Sequence, residues 1–247
     1  MSDVEDLYRP TEEHEAFRAA VREVCDAKVA PNAAEADELA EFPKASYEAL
    51  VAADFHAPHV PEEYDGVGAD ALATVIVIEE VARACASTSL IPAVNKLSSM
   101  PWLLAGSADL KRRYLPPIAH GDAMASYCLS EPEAGSDAVS MRTRAVRDGD
   151  YFVLNGVKRW ITNAGVSDYY TVFAVTGPGQ RSGGNSAFVV EKTDEGVSFG
   201  AKERKLGIKG SPTREVYLDD VRIPPIGSSA TRAPASRPRC ARWTTPG

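Results

Sequence analysis

The sequence has little that would build a metal site or a disulfide framework. Its four cysteines, Cys25, Cys85, Cys128 and Cys240, lie far apart with no Cys-x-x-Cys pair, and its four histidines have no cysteine or carboxylate partners at ligand spacing. No metal and no disulfide are expected, which fits a reducing compartment, and the expected location is cytoplasmic. Long apolar runs are also lacking. The most hydrophobic stretch, residues 71–78, stops at Glu79 and Glu80, far short of the roughly 20 residues that cross a bilayer, so no membrane span is expected. The start of the chain, Met1-Ser2-Asp3-Val4-Glu5-Asp6, has neither the basic residues nor the apolar core of an export signal. Positive charge is in deficit: 27 basic against 35 acidic side chains leave a net charge of −8, which repels a phosphate backbone and argues against nucleic-acid binding.

What is present suits one large or two ordinary globular domains: 247 residues, 44% of them hydrophobic and 25% charged. The first half reads as helices. Thr11 is a candidate N-cap ahead of Phe17, Val21 and Val24 at helical spacing, and Pro31 is expected to end that helix. Further helices are expected over residues 43–55, after Asp70, and after Ser107, while Pro92 and Pro101 predict a kinked or restarted helix over 87–104. Glu62-Glu63 and Glu79-Glu80 read as solvent-facing ends, and Lys202-Glu203-Arg204-Lys205 as a solvated charge run. After Gly121 the pattern changes to short β-rich runs. Asp148-Gly149 and Asn155-Gly156 are both two-residue hairpin signals, predicting strands at 141–147, 151–154 and 157–162. More strands are expected at 169–175, 186–192, 197–201 and 215–218, with Gly183-Gly184 in a loop, giving an antiparallel sheet or barrel. From Ile226 onward the chain holds four arginines and no acidic residue among many Ala, Pro, Ser and Thr, a composition too poor in apolar groups to order itself.

Two segments carry chemistry. In Tyr127-Cys128-Leu129-Ser130-Glu131-Pro132-Glu133-Ala134-Gly135-Ser136-Asp137 a strand end enters a tight Pro/Gly/Ser turn, which gathers backbone N–H groups and two hydroxyls where an anion or a polar ring edge could sit. Ordinary Asx- and Ser-type turn bonding explains the same residues equally simply. Trp160-Ile161-Thr162-Asn163 sets an aromatic plane and a hydroxyl two residues apart, on one face of a strand. Such a pair suits stacking on a flat heterocycle and bonding to its edge, or else a core tryptophan beside a turn.

In order and spacing, these two segments resemble the acyl-CoA dehydrogenase family. Cys128 to Ser140 is similar to its first signature and Trp160 to Asn163 to its second flavin contact. Pro61-Glu62-Glu63-Tyr64-Asp65-Gly66, Ile78-Glu79-Glu80-Val81-Ala82 and Lys205-Leu206-Gly207-Ile208-Lys209-Gly210-Ser211 extend the resemblance over about residues 8–224. It implies an α+β fold: an N-terminal all-helical domain over residues 1–122, an antiparallel β-barrel middle domain over 123–225, and a disordered tail over 226–247. It implies FAD as cofactor, with Tyr127, Cys128, Leu129 and Ser130 along the flavin, Gly135 and Ser136 at its pyrophosphate, and Trp160, Ile161 and Thr162 flanking the ring. Ser136 and Asn185 fall at substrate-side positions.

The implied activity is α,β-dehydrogenation of an acyl-CoA to the enoyl-CoA, in fatty-acid or branched-chain acyl catabolism, with electrons passed to an electron-transfer flavoprotein by a homotetramer. A related acyl-CoA oxidase and a catalytically silent flavin- or acyl-CoA-binding relic are the alternatives. The family's catalytic base is a glutamate of a third, C-terminal domain that this sequence lacks, so no catalytic residue is assigned and an impaired, truncated form is expected. Glu131, Glu133 and Asp137 are the nearby carboxylates, and the motif gives them turn roles. A hypothetical GC-rich coding of Thr231 to Ser236, shifted by one base, yields a Gly-x-Gly-Phe segment like the family's, so the tail is expected to be out of frame.

Overall fold

The structure is a computed structural model that describes residues 9–177 and 184–223 and the backbone of 240–242. Thr11 caps the first helix as expected. Its hydroxyl accepts the His14 N–H at 3.2 Å and the His14 ring returns to the Thr11 N–H at 3.3 Å, opening α1 (Glu12–Val24). The helical path does not stop at Pro31. It continues through a π-helical turn (Cys25–Val29) and a 3₁₀ turn (Ala30–Asn32) into α2 (Ala33–Leu39). Pro31 sits at the start of the 3₁₀ turn, where its missing N–H has no bond to lose.

After α3 (Lys44–Ala52) come α4 (Ala71–Ala84), capped by the Asp70 carboxylate on the Ala73 N–H at 2.7 Å, α5 (Ala86–Ala105), and α6 (Ala108–Ala119), capped by Ser107. Despite Pro92 and Pro101, α5 is one continuous helix. Each interior proline costs about 3 kcal/mol, and burial of Ile91, Val94 and Trp102 on the same helix offsets that. Among the described residues no helix is long and apolar enough to cross a membrane.

Glu80 is not a solvent-facing end. Its carboxylate is buried and meets Arg22 at 2.7 Å, Arg18 at 3.0 Å and Arg83 at 3.1 Å, tying α4 to α1, while Glu79 remains exposed. The bonds from Arg22, followed by those from Arg18 and Arg83, outweigh the cost of burial and hold the Glu80 carboxyl down at about 2.

The second half is a curled, mostly antiparallel sheet of β1 (Ala125–Cys128), β2 (Arg144–Asp148), β3 (Tyr151–Thr162), β4 (Tyr169–Val175), β5 (Asn185–Glu191), β6 (Val197–Phe199), β7 (Thr213–Ile223) and β8 (Cys240–Arg242). The order is β6-β7-β3-β2-β4-β5-β8, and β1 lies parallel beside β4 with Ala125 opposite Tyr169. Within the tail expected to lack structure, the three described residues form β8 on the edge of β5; 224–239 and 243–247, like Gly183, lie outside the described residues.

The hairpin forms, but Asp148 stays in the strand paired with Tyr151, so its turn falls on Gly149 (φ 61°) and Asp150, one residue later than the expected Asp148-Gly149. The second hairpin signal is not a turn. β3 runs through Asn155-Gly156 as one twelve-residue strand with a bulge against β7 between Leu154 and Gly156. The glycine is required there for close approach, because a Cβ would stand 2.8 Å from Thr143 Cα. Asn155 instead bonds Asp220 on β7, side chain to side chain at 2.8 Å and side chain to backbone N–H at 2.9 Å.

One core fills the curl of the sheet, with Cys128, Leu154, Tyr170, Phe188, Val216 and Val221. A second lies among α1, α3, α4 and α5, and a third joins the halves through Trp102, Tyr114, Leu115 and Val189. Polar bonds fix the junction: the Asn95 side chain accepts the Ala125 N–H at 3.0 Å, and the Thr171 hydroxyl donates to the Ser98 carbonyl at 2.7 Å. α5 is thereby held across β1 and β4.

Candidate functional site

Where α5 crosses the sheet, a groove of about 210 Å³ opens between Val94 and Leu97 of the helix, Tyr127, Leu129 and Ser130 at the end of β1, and Trp160, Ile161 and Thr162 at the end of β3. A larger hollow of about 630 Å³ lies elsewhere on the helical half, walled by Phe17, Phe55, Pro58 and Val67, and none of the motif residues reaches it. The smaller groove gathers the chemistry.

Strand alternation decides which residues of the first motif face the groove. Tyr127 and Leu129 point to it, and Cys128 points the other way, fully buried in the core of the sheet. Burial pushes its thiol up to about 12, against a weaker pull from Lys158, so Cys128 packs as an apolar residue. Within the motif it is the strand backbone at Cys128, and not its side chain, that faces the groove side. Burial likewise raises the Tyr127 phenol, which stays neutral.

Buried bonds lock the two motifs together. The Lys158 ammonium donates to the Leu129 carbonyl at 3.1 Å and pairs with the Glu131 carboxylate at 2.8 Å, with both side chains out of solvent. The Arg159 N–H donates to the Ser130 carbonyl at 2.9 Å. Glu131 also accepts the N–H groups of Arg142 at 2.6 Å and Thr143 at 3.0 Å. Burial works to raise the Glu131 carboxyl, but these amides and Lys158 prevail and hold it below its usual range. It is a structural carboxylate that closes the 131–143 turn. Glu133 pairs with Arg142 at 2.6 Å and Asp137 accepts the Ser140 hydroxyl, so all three nearby carboxylates have turn roles.

At the end of β3 the register against β7 shifts again, between Lys158 and Ile161. Inside that bulge Trp160 takes φ 58°, a left-handed conformation that costs a side-chain-bearing residue about 1–2 kcal/mol. It is also 56% exposed. The bulge breaks the two-residue alternation, which is why Trp160, Ile161 and Thr162, consecutive in sequence, all line one groove. Asn163, at φ 62° and buried, ends the strand by donating its N–H to the Pro212 carbonyl at 2.7 Å.

A flat polar heterocycle fits this arrangement. The hydroxyls of Ser130 and Thr162 are half-buried and have no hydrogen-bond partner among the described residues, and an indole plane stands beside them. The turn beyond is open. Gly135 and Ser136 are exposed, and a Cβ at Gly135 would meet nothing within 4 Å, leaving its backbone approachable. Neither residue lines the groove itself. Asn185 stands apart too, opposite Val175 at the start of β5. The turn packs toward that end of the sheet, with Ala134 and Met141 sharing a cluster with Phe173 and Ala187.

Sequence reasoning missed Val94 and Leu97. The signal for Leu97 was the stripe Leu90, Ala93, Leu97, Met100 and Leu104, spaced alternately three and four residues apart and left half or fully exposed by α5, with buried Val94 beside it. Uncertainty over the prolines hid it.

Comparison with known proteins agrees with this geometry. Residues 11–122 match the family described as Acyl-CoA dehydrogenase, N-terminal domain, and residues 126–221 the one described as Acyl-CoA dehydrogenase, middle domain. A probable acyl-CoA dehydrogenase, FadE25 of Mycobacterium tuberculosis, is 58% identical over 219 residues, which are 89% of this chain and 56% of that protein. The chain thus spans little more than half the length of such relatives. The butyryl-CoA dehydrogenase structure from Megasphaera elsdenii superposes with a TM-score of 0.82 at 30% identity, over 88% of this chain and 58% of that one. A glutaryl-CoA dehydrogenase from Mycobacterium smegmatis, solved in complex with FADH2, gives 0.80 at 31% identity, over 87% of this chain and 54% of that one.

Proposed function

The chain belongs to the acyl-CoA dehydrogenase family, and from that membership we propose that its groove holds the flavin of an FAD-dependent dehydrogenase acting on an acyl-CoA thioester. One observation carries the proposal: an exposed indole, held in a strained backbone conformation, stands beside two hydroxyls without hydrogen-bond partners among the described residues, in a groove between two strand ends. Strain of this kind persists where the surroundings over-determine it and gathers at functional sites.

In this scheme the Trp160 indole supplies one wall for a planar ring. The Ser130 hydroxyl, with the Leu129 backbone, and the Thr162 hydroxyl meet heteroatoms on the ring edge. Gly135 and Ser136 receive the pyrophosphate through the open turn, with Ser136 also near the thioester, and Asn185 stands on the CoA side. A flavin held by these residues would supply the redox chemistry, as acceptor of the hydride equivalent lost at the substrate β carbon. The accompanying loss of the α proton needs a carboxylate base, and among the described residues none that lines the groove is a carboxylate. We assign that base to the part of the family's length that this chain does not span. The electron-transfer flavoprotein, the homotetramer and the cytoplasmic setting are proposed for the longer form, with the domain boundary near residue 122.

That no described residue of the groove is a carboxylate favours a second reading for the chain as given: it binds flavin and does not turn over. Titration of the purified chain with FAD, followed by acyl-CoA, separates the cases. Expected is a yellow complex that acyl-CoA alone does not bleach, with binding weakened by Trp160→Ala or Thr162→Ala. Wild-type protein that retains no flavin would overturn the binding proposal, and rapid bleaching would place a base within this chain.

A further inference from the structure

Neighbouring residues on a strand send their side chains to opposite faces. At the β3 bulge this fails: the Arg159 guanidinium carbon lies 5.1 Å from the centre of the Trp160 ring. The guanidinium is itself held. Its Nε, buried and without a well-aligned hydrogen bond, lies 3.5 Å from Glu215 Oε1 on β7, and the other Glu215 oxygen accepts the Tyr217 hydroxyl at 2.6 Å. On the backbone side Arg159 donates its N–H to the Ser130 carbonyl at 2.9 Å. One residue therefore touches the indole, the end of the first motif, and a carboxylate on the adjoining strand.

We infer that Arg159 is a positioning residue: its guanidinium, clamped by Glu215, holds the Trp160 indole as a prebuilt wall of the groove before any ligand arrives. The inference rests on the flavin reading for its purpose and on the stacked geometry for its substance. Trp160 is 56% exposed at φ 58°, and its indole carries the Arg159 guanidinium over the ring. Cation–π attraction at a partly exposed site corresponds to about a two- to fivefold preference for the stacked arrangement. A planar ligand that finds its wall in place is spared the cost of ordering it.

The test uses the whole chain without flavin first. Acrylamide quenching is measured for wild type, Arg159→Met, which keeps length and loses charge, Arg159→Lys, which keeps charge, and Glu215→Gln, which weakens the clamp while leaving Arg159 intact. Each is paired with its Trp160→Phe counterpart so that the difference isolates the Trp160 emission. Arg159→Met and Glu215→Gln should make Trp160 about twofold more quenchable, with Arg159→Lys nearer to wild type. FAD affinity should then fall about two- to fivefold for Arg159→Met and recover in Arg159→Lys. Unchanged quenching in Arg159→Met overturns the inference. So does equal loss in the Met and Lys variants, which would mark plain packing of β3 on β7. If wild type takes up no FAD while Arg159→Met still frees the indole, the flavin reading fails and the positioning role stands.

Discussion

Replacing Lys158 by methionine isolates the buried bond that joins the two motifs. The wild-type ammonium is 2.8 Å from Glu131 Oε1 and fully out of solvent, where Coulomb attraction at an effective dielectric of 20 amounts to about 6 kcal/mol. Desolvating both ions costs a comparable amount, so the intact pair is close to neutral for stability. Methionine matches the stem of lysine and removes the charge, leaving the Glu131 carboxylate buried with only the Arg142 and Thr143 amides. Stranding a buried charge in this way costs about 3–5 kcal/mol, a large share of the 5–15 kcal/mol that typically holds a domain folded. Urea unfolding followed by far-UV circular dichroism reads the loss. The pH dependence identifies its cause. In wild type the Glu131 carboxyl is held below its usual value, so its contribution is present at neutral pH and is lost as the pH falls through its folded-state value. Without Lys158 the folded-state value rises, and the variant's deficit should shrink as the pH falls through the ordinary carboxylate range. Adding Glu131→Gln should recover part of the loss at neutral pH. A deficit below about 1 kcal/mol, or one that does not change with pH, would refute the reasoning.

Three other outcomes follow from the same geometry. Glu80→Gln should cost about 1–2 kcal/mol at neutral pH, the ion pairs being discounted because Arg22 and Arg83 are half exposed. The carboxyl lies at about 2 instead of 4.5, so its contribution is full above 4.5 and the gap to wild type should close as the pH falls toward 2; a constant gap in urea midpoints counts against it. Gly156→Ala should lower stability by about 2 kcal/mol, because the new methyl stands 2.8 Å from Thr143 Cα, and an unchanged melting temperature would contradict the close approach. Trp160→Gly should weaken FAD binding while changing stability by less than about 1 kcal/mol, because relief of the left-handed backbone offsets the lost Arg159 stack, and a loss above about 2 kcal/mol would show that the strain is not there.

Much of the fold was legible because local chemistry decides it. Thr11, Asp70 and Ser107 cap helices as their side chains predict, and β4 starts and ends where its apolar run does. The groove's edges were legible from two short motifs, Tyr127 to Ser130 and Trp160 to Thr162. What escaped depends on contacts distant in sequence. Asn155-Gly156 carries the signal of a turn, yet Gly156 is spent on approach to Thr143 and Asn155 on Asp220. Nothing local marks Lys158 as the partner of Glu131, because a lysine among polar residues normally reads as surface.

The parallel pairing of β1 with β4 has a consequence for the order of assembly. β1 is made first, but the strand it lies against is far along the chain, beyond the β2–β3 hairpin. Closing so long a loop is entropically slow, whereas the hairpin forms from near neighbours. The hairpin is therefore ready early, but the bulge that strains Trp160 forms only against β7, and the opposite bank of the groove waits for β4 to receive β1. A chain still on the ribosome short of Ile223 lacks one of these two pairings, and any ligand that settles in the groove rewards both long-range steps of folding.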